Sequence, residues 1–102
     1  MIDKPVKKKA YIKYSPLKGV EDMESKAAVI AIIVEKPDSV KSLNGILHEY
    51  AQYIIGRMGI PYPQKNINII SIVVDAPNNT IDALLEKISG LDGINAKAVY
   101  ST

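Results

Sequence analysis

The 102-residue chain has no cysteine, tryptophan or phenylalanine, a single histidine (His48) and a single arginine (Arg57). The lack of cysteine excludes disulfides, thiolate chemistry and sulfur-ligated metal sites. One histidine cannot make a transition-metal site within one subunit unless carboxylates help, so we predict no metal and no cofactor. Long apolar runs are also missing, because the longest, at residues 27–34 and 67–74, are far too short to span a bilayer.

Neither sign of charge dominates, since the formal net charge is only +2. Residues 1–26 hold seven lysines and four acidic residues, so the basicity belongs to the N-terminal part. The remainder has no basic patch of the kind that binds nucleic acid, and we expect no direct DNA binding. The charged N-terminus has no apolar run behind it, so we expect no secretory signal, no membrane association and a cytoplasmic location.

The N-terminal part also differs in pattern from the rest of the chain. Residues 1–26 are lysine-rich, contain Pro5, Pro16 and Gly19, and show no sustained period of 2 or 3.6. We interpret them as a flexible extension preceding one domain at residues 27–102. An arm that packs on a neighbouring subunit is the alternative, and residues 11–14 could form a short edge strand.

The domain alternates strand patterns with helix patterns. Apolar and β-branched runs predict strands at residues 27–34, 53–58, 66–75 and 94–100, and apolar residues at helical spacing predict helices at 38–49 and from about 80 to 90. Asp38 or Ser39 is predicted to cap the first helix and one of residues 78–80 the second, with a turn or loop at 61–66. This order predicts an α+β, ferredoxin-like βαββαβ fold, a four-stranded antiparallel sheet with both helices on one face.

Two of the predicted strands are apolar on both alternating faces. These are residues 27–34 and 66–75, which should therefore lie at the centre of the sheet. The face without helices is then apolar at its middle, and a monomer rarely leaves such a patch in water. Either the N-terminal extension or a second subunit covers it, and we expect a homo-oligomer, a dimer or a tetramer.

The rare side chains gather between residues 45 and 63. A helical wheel places His48 on a polar flank with Lys41 and Asn44, as a solvated residue or as part of a site between subunits. Arg57 and Met58 lie between two glycines, which allow a ligand to approach closely, and arginine recognises carboxylate or phosphate. An ion pair of Arg57 with Glu49 or Asp75 is the alternative.

Tyr62 stands between Pro61 and Pro63, which restrict the backbone and present the ring at low entropic cost. It is either an interface anchor or an aromatic side chain packed on the sheet edge. Catalysis has little support, because no serine has a histidine at a suggestive spacing and no acidic pair stands out as general acid and base. We therefore predict that the chain is not an enzyme.

Three segments carry a family resemblance: VIAIIVE at residues 29–35, NGILHEYAQYIIGRMGIPY at 44–62 and ISIVVDAPNNTIDALLEKISGLDGINAKAVYS at 70–101. Together they resemble the iron-only hydrogenase system regulator family. The resemblance implies an ACT-like ferredoxin fold and a regulatory or ligand-sensing role with a small-molecule or protein partner.

Taken together with the candidate residues, the family resemblance suggests a surface for a ligand or a subunit interface. Its residues are Arg57, His48, Asn44, Met58 and Tyr62. The alternative is an accessory maturation factor or enzyme that handles a small anionic or metal-containing ligand between subunits.

Overall fold

The computed structural model describes residues 9–12 and 25–101. The strands are β1 (Lys9–Ile12), β2 (Ser25–Val34), β3 (Ile54–Tyr62), β4 (Ile67–Pro77) and β5 (Ile94–Tyr100), and the helices are α1 (Val40–Glu49) and α2 (Asn78–Ser89). Short 3₁₀ turns occupy Pro37–Ser39, Ala51–Tyr53 and Pro63–Lys65. The sheet is antiparallel with the order β1-β3-β4-β2-β5. The predicted ferredoxin-like α+β fold is confirmed in β2 to β5, to which β1 adds a fifth strand beside β3.

The core lies between the two helices and one face of the sheet. Alternate residues of the two central strands are buried there, and the helices add Leu43 and Leu47 from α1 and Ile81, Leu84 and Ile88 from α2. The sheet contributes Ala28, Ile30, Ile32 and Val34 from β2 and Ile70, Ile72, Val74 and Ala76 from β4. Helical spacing and strand alternation thus direct one apolar set into a single core.

The third strand is longer than predicted and irregular at its start. A bulge between Ile54 and Gly56 shifts its pairing with β4. The predicted loop at residues 61–66 is wrong for Pro61 and Tyr62, which pair with Asn68 and Ile67. Pro61 lies beyond the four β3 residues that pair with β1; among the described residues β3 has no neighbour on that side there, and proline is tolerated at such an edge.

The predicted helix caps also differ from the structure. Ser39 occupies the N-cap position of α1 but forms no capping bond, because its hydroxyl donates to the Asp92 carbonyl oxygen at 2.6 Å. Helix α2 starts at Asn78 after Pro77, again without a side-chain cap. The chain therefore uses the Ser39 hydroxyl to tie the start of α1 to the turn before β5.

Candidate functional site

Arg57 faces the helix layer because of the bulge in β3. Ile54 is buried opposite Val74, and Arg57 pairs with the buried Ile72, so both lie on the helix side although they are three positions apart. Regular alternation would have sent Arg57 to the opposite face. The extra residue of the bulge is what brings the arginine beside α1.

Among the residues that the structure describes, one weak hydrogen bond holds the guanidinium there. Its Nη2 donates to the Asn44 side-chain oxygen at 3.4 Å, near the limit of a hydrogen bond. Among residues 25–101 no carboxylate forms an ion pair with Arg57, and the predicted alternative partner Glu49 instead pairs with Lys87 at 3.5 Å. Asp75, the other alternative, lies on the helix-free face of β4, opposite Ala27. With respect to the described part of the chain, the cation thus keeps most of its donor capacity for another group.

An open cleft of about 270 Å³ lies on one side of the Arg57–Asn44 contact. Its floor is apolar, formed by Leu47, Ala51 and Ile54, and its polar rim is formed by Asn44, His48 and Arg57. A small molecule with an anionic group and a short apolar body matches this distribution. We call this space the His48 cleft.

A second cleft, of about 240 Å³, lies on the other side of the same contact. Arg57 and Asn44 line it too, and the sheet side adds Gly59, Pro61, Asn68 and Ile70. A Cβ added at Gly59 would meet only Ile70 Cγ1, at 3.9 Å, so the glycine leaves room that a side chain could fill. We call this space the Gly59 cleft.

The five predicted site residues do not share one surface. His48, Asn44 and Arg57 meet around the His48 cleft. Met58 and Tyr62 pair with Ser71 and Ile67, on the face of the sheet that carries no helix. The strand alternation therefore separates them from Arg57 by the thickness of the sheet.

The apolar floor of the His48 cleft was missed at the sequence level. Asn44, Leu47, His48 and Ala51 follow the spacing i, i+3, i+4, i+7, which places them on one flank of a helix and its continuation. That spacing was a usable signal. The contribution of Ile54 had no comparable signal, because it depends on where β3 docks against α1.

Two electrostatic contacts join the helices to their neighbours outside the clefts. The charge of Glu49, and next that of Tyr50 together with a hydrogen bond that the Lys87 ammonium donates to the Tyr50 oxygen, raise the pKa of Lys87 above its usual value. The Lys87 ammonium lies 5.4 Å from the centre of the Tyr50 ring. On α2, Asp82 accepts a hydrogen bond of 2.5 Å from the Tyr100 hydroxyl, which together with burial raises the pKa of Tyr100.

The described residues form no group of three or more histidine, aspartate or glutamate side chains that could hold a metal ion. Within the same residues, neither helix has the length and apolar character required to cross a membrane.

Comparisons with known proteins agree on the fold. One solved structure, "The structure of uncharacterized protein TM1266 from Thermotoga maritima", matches with a TM-score of 0.75 and 29% identity, over 78% of this chain and all of that one. A formyltetrahydrofolate deformylase from Pseudomonas putida KT2440 matches with a TM-score of 0.50 and 14% identity, over 72% of this chain and 28% of that chain. The second likeness shows the fold alone. Among curated proteins, none matches this chain.

A family model also matches the chain, over residues 26–98, which is most of its length. The matched span includes β2 through nearly all of β5 and therefore both clefts. The chain belongs to the TM1266-like family, described as "Iron-only hydrogenase system regulator, putative".

Proposed function

We propose that the chain is a non-enzymatic regulatory module that senses a small anionic ligand in the His48 cleft. The observation that carries the proposal is how Arg57 is held: within the described residues, this cation has one 3.4 Å bond to a neutral amide, and it lies at the rim of an apolar-floored cleft. Carboxylate or phosphate would satisfy the remaining guanidinium donors in bidentate geometry. His48 and Asn44 supply further polar contacts on the same rim.

The regulatory part of the proposal follows from the family. The family description names regulators of the iron-only hydrogenase system, and the structural likeness to TM1266 covers the two clefts. We infer that ligand binding replaces the Arg57–Asn44 contact and so changes the surface between α1 and β3. A protein partner, rather than DNA, would then read that change.

Thermal unfolding with defined anions tests the ligand site. Inorganic phosphate and the monocarboxylates butyrate and isovalerate serve as probes, against sodium chloride at equal ionic strength. A probe at ten times its dissociation constant adds about 1.4 kcal/mol to the free energy of unfolding. For a domain of this size, that raises Tm by roughly 6–11 °C.

The variant Arg57→Gln should lose this rise, whereas Lys65→Gln, which removes an exposed cation from the turn after β3, should keep it. If no probe stabilises the wild type beyond chloride, or if Arg57→Gln responds equally, the ligand site is refuted. Native mass spectrometry of the purified protein reports any small molecule that copurifies.

Filling each cleft separately shows which one the ligand occupies. Ala51→Leu would fill the floor of the His48 cleft, and Gly59→Ala would narrow the Gly59 cleft without a steric clash. We expect Ala51→Leu to abolish the response to the probe and Gly59→Ala to retain it. The opposite pattern would move the site to the Gly59 cleft and contradict the role given to His48.

A further inference from the structure

The face of the sheet that carries no helices is apolar over most of its area. Register places its side chains in rows that run across the strands: Gly56, Val73, Val29 and Val99; then Met58, Ser71, Ala31 and Lys97; then Ile60, Ile69, Ile33 and Asn95; then Tyr62 and Ile67. Exposure is high for large apolar side chains, at 72% for Val99, 43% for Val29 and 36% for both Ile69 and Tyr62. We call this surface the open face.

The open face is uneven in height as well as apolar. Its middle row contains the small residues Ser71 and Ala31, flanked by rows of valine and isoleucine on either side. A shallow trough therefore crosses the two central strands. The flanking rows of an identical face would fit such a trough, as interdigitating side chains do where two sheets stack at about 10 Å.

Two opposite charges lie at the margins of the open face. Asp75 on β4 pairs with Ala27 of β2, and Lys97 on β5 pairs with Ala31 of β2. Asp75 and Lys97 are separated by two strand spacings across the sheet, roughly 10 Å, and by four residues along it, roughly 13 Å. They therefore form no ion pair with each other within one chain. Neither has an ionic partner among residues 25–101. The midpoint between them falls on β2 at Val29.

We propose that the open face binds the open face of a second copy of this chain about a two-fold axis close to Val29. That axis places Asp75 of each copy over Lys97 of the other, and it lets the exposed Val29 side chains meet at the centre. One charge of each sign on a single surface is self-complementary, as an isologous interface requires. On this geometry the strands of the two sheets cross at roughly 70°, closer to the orthogonal class of sheet packing than to the aligned class.

The size of the surface fits this occupant. Four strands about eight residues long project an area of roughly 500 Å², and the accessible area of a corrugated surface exceeds its projection. Where the strands cross at roughly 70°, two such faces overlap over roughly 400 Å² of projected area, so the contact falls near the low end of specific interfaces, below the ~800 Å² per partner of the standard size. An apolar centre with charges only at the margin is also the usual anatomy of such interfaces.

The N-terminal residues match the open face less well than a second copy does. Residues 1–24 contain six lysines and four acidic residues, a net charge of +2, so their excess positive charge would favour Asp75 but disfavour Lys97. In addition, β1 ends and β2 begins at the same end of the sheet, so the residues that join them need not cross its face.

Charge reversal in the full-length chain tests the two-fold contact. Light scattering with size-exclusion chromatography and native mass spectrometry would measure the dimer dissociation constant of the wild type, Asp75→Lys, Lys97→Asp and the double variant. Each single reversal creates two like-charge contacts per dimer and should raise the dissociation constant at least tenfold. The double variant should return to within about threefold of the wild type.

Asp38→Lys and Lys41→Asp are the matched controls, because both residues are exposed and lie near the start of α1. They should leave the dissociation constant unchanged. Circular dichroism checks that each variant is folded, and the double variant retains the wild-type composition.

A wild type that is monomeric at about 100 µM would overturn the proposal. So would single reversals without effect, or a double variant that is weaker than either single one. If Asp75→Lys destabilises a monomer while Lys97→Asp stabilises it, the lysine-rich N-terminal residues cover the face instead.

Discussion

The turn before β5 offers a sharp test of how the backbone is constrained. Gly93 has φ +71°, in the left-handed region, and its carbonyl oxygen accepts a hydrogen bond of 2.7 Å from the Glu35 amide. A Cβ at this position would lie 2.6 Å from Lys36 Cβ, and still closer to Lys36 Cγ. Gly93→Ala therefore combines an unfavourable backbone conformation with a clash close to the backbone of Lys36.

The two effects add to a large destabilisation. A non-glycine residue in the left-handed region costs about 1–2 kcal/mol. Overpacking against the inner part of a side chain costs about 1–3 kcal/mol more. The Lys36–Asp92 ion pair, at 3.1 Å, lies on exposed side chains and adds little to the loss. We expect the free energy of unfolding to fall by about 2–5 kcal/mol.

Differential scanning calorimetry and urea unfolding measure this loss, and Tm should fall by roughly 8–40 °C. Gly45→Ala is the matched control, because Gly45 lies inside α1 with nothing within 4 Å of the added Cβ. It should stabilise by about 0.5–1 kcal/mol, since alanine favours a helix interior. Equal effects of the two substitutions would refute the reasoning.

Part of the steric cost can be removed with Lys36→Ala, which deletes the Cγ and Cδ atoms that a Cβ on residue 93 would meet but keeps Lys36 Cβ. Gly93→Ala should cost less in that background by about 1 kcal/mol. An unchanged cost would mean that the left-handed backbone and the contact with Cβ of residue 36 account for the whole loss.

The remaining predictions concern the core and the Tyr100–Asp82 bond. Leu43→Ala removes a fully buried side chain of α1 and should lower the free energy of unfolding by about 2–5 kcal/mol in urea unfolding, whereas Leu85→Ala, on the partly buried flank of α2, should cost less. Tyr100→Phe should lose about 1 kcal/mol at neutral pH. Because the pKa of Tyr100 is raised on folding, this contribution is full below about pH 10 and declines as pH rises through the folded-state pKa. A difference between wild type and Tyr100→Phe that grows above pH 10 would contradict the bond to Asp82.

Much of the fold is predictable because periodicity reports burial. The alternation of residues 94–100 predicted β5 with its observed bounds, Ile94–Tyr100. The two strands that are apolar on both faces are the central ones, β2 and β4. Boundaries were less predictable where two signals compete, as at Pro61, where proline chemistry favours a turn and an edge position allows a strand.

The sequence by itself determined the residue types available at the site: one arginine, one histidine, no cysteine, and glycines beside the arginine. It also determined that His48 and Asn44 share a flank of α1, since helical spacing is fixed by local geometry. These features suffice to predict recognition of an anion and no sulfur-ligated metal.

Only the tertiary structure decided which of the five candidates lie together. One extra residue in β3 reverses the alternation between Ile54 and Arg57, and a bulge of this kind is set by pairing with β4 rather than by local sequence. Arg57 therefore joins Asn44 and His48 beside α1, while Met58 and Tyr62 go to the open face. The rare residues between positions 45 and 63 therefore lie on two different surfaces, because successive side chains of a strand point to opposite sides of the sheet.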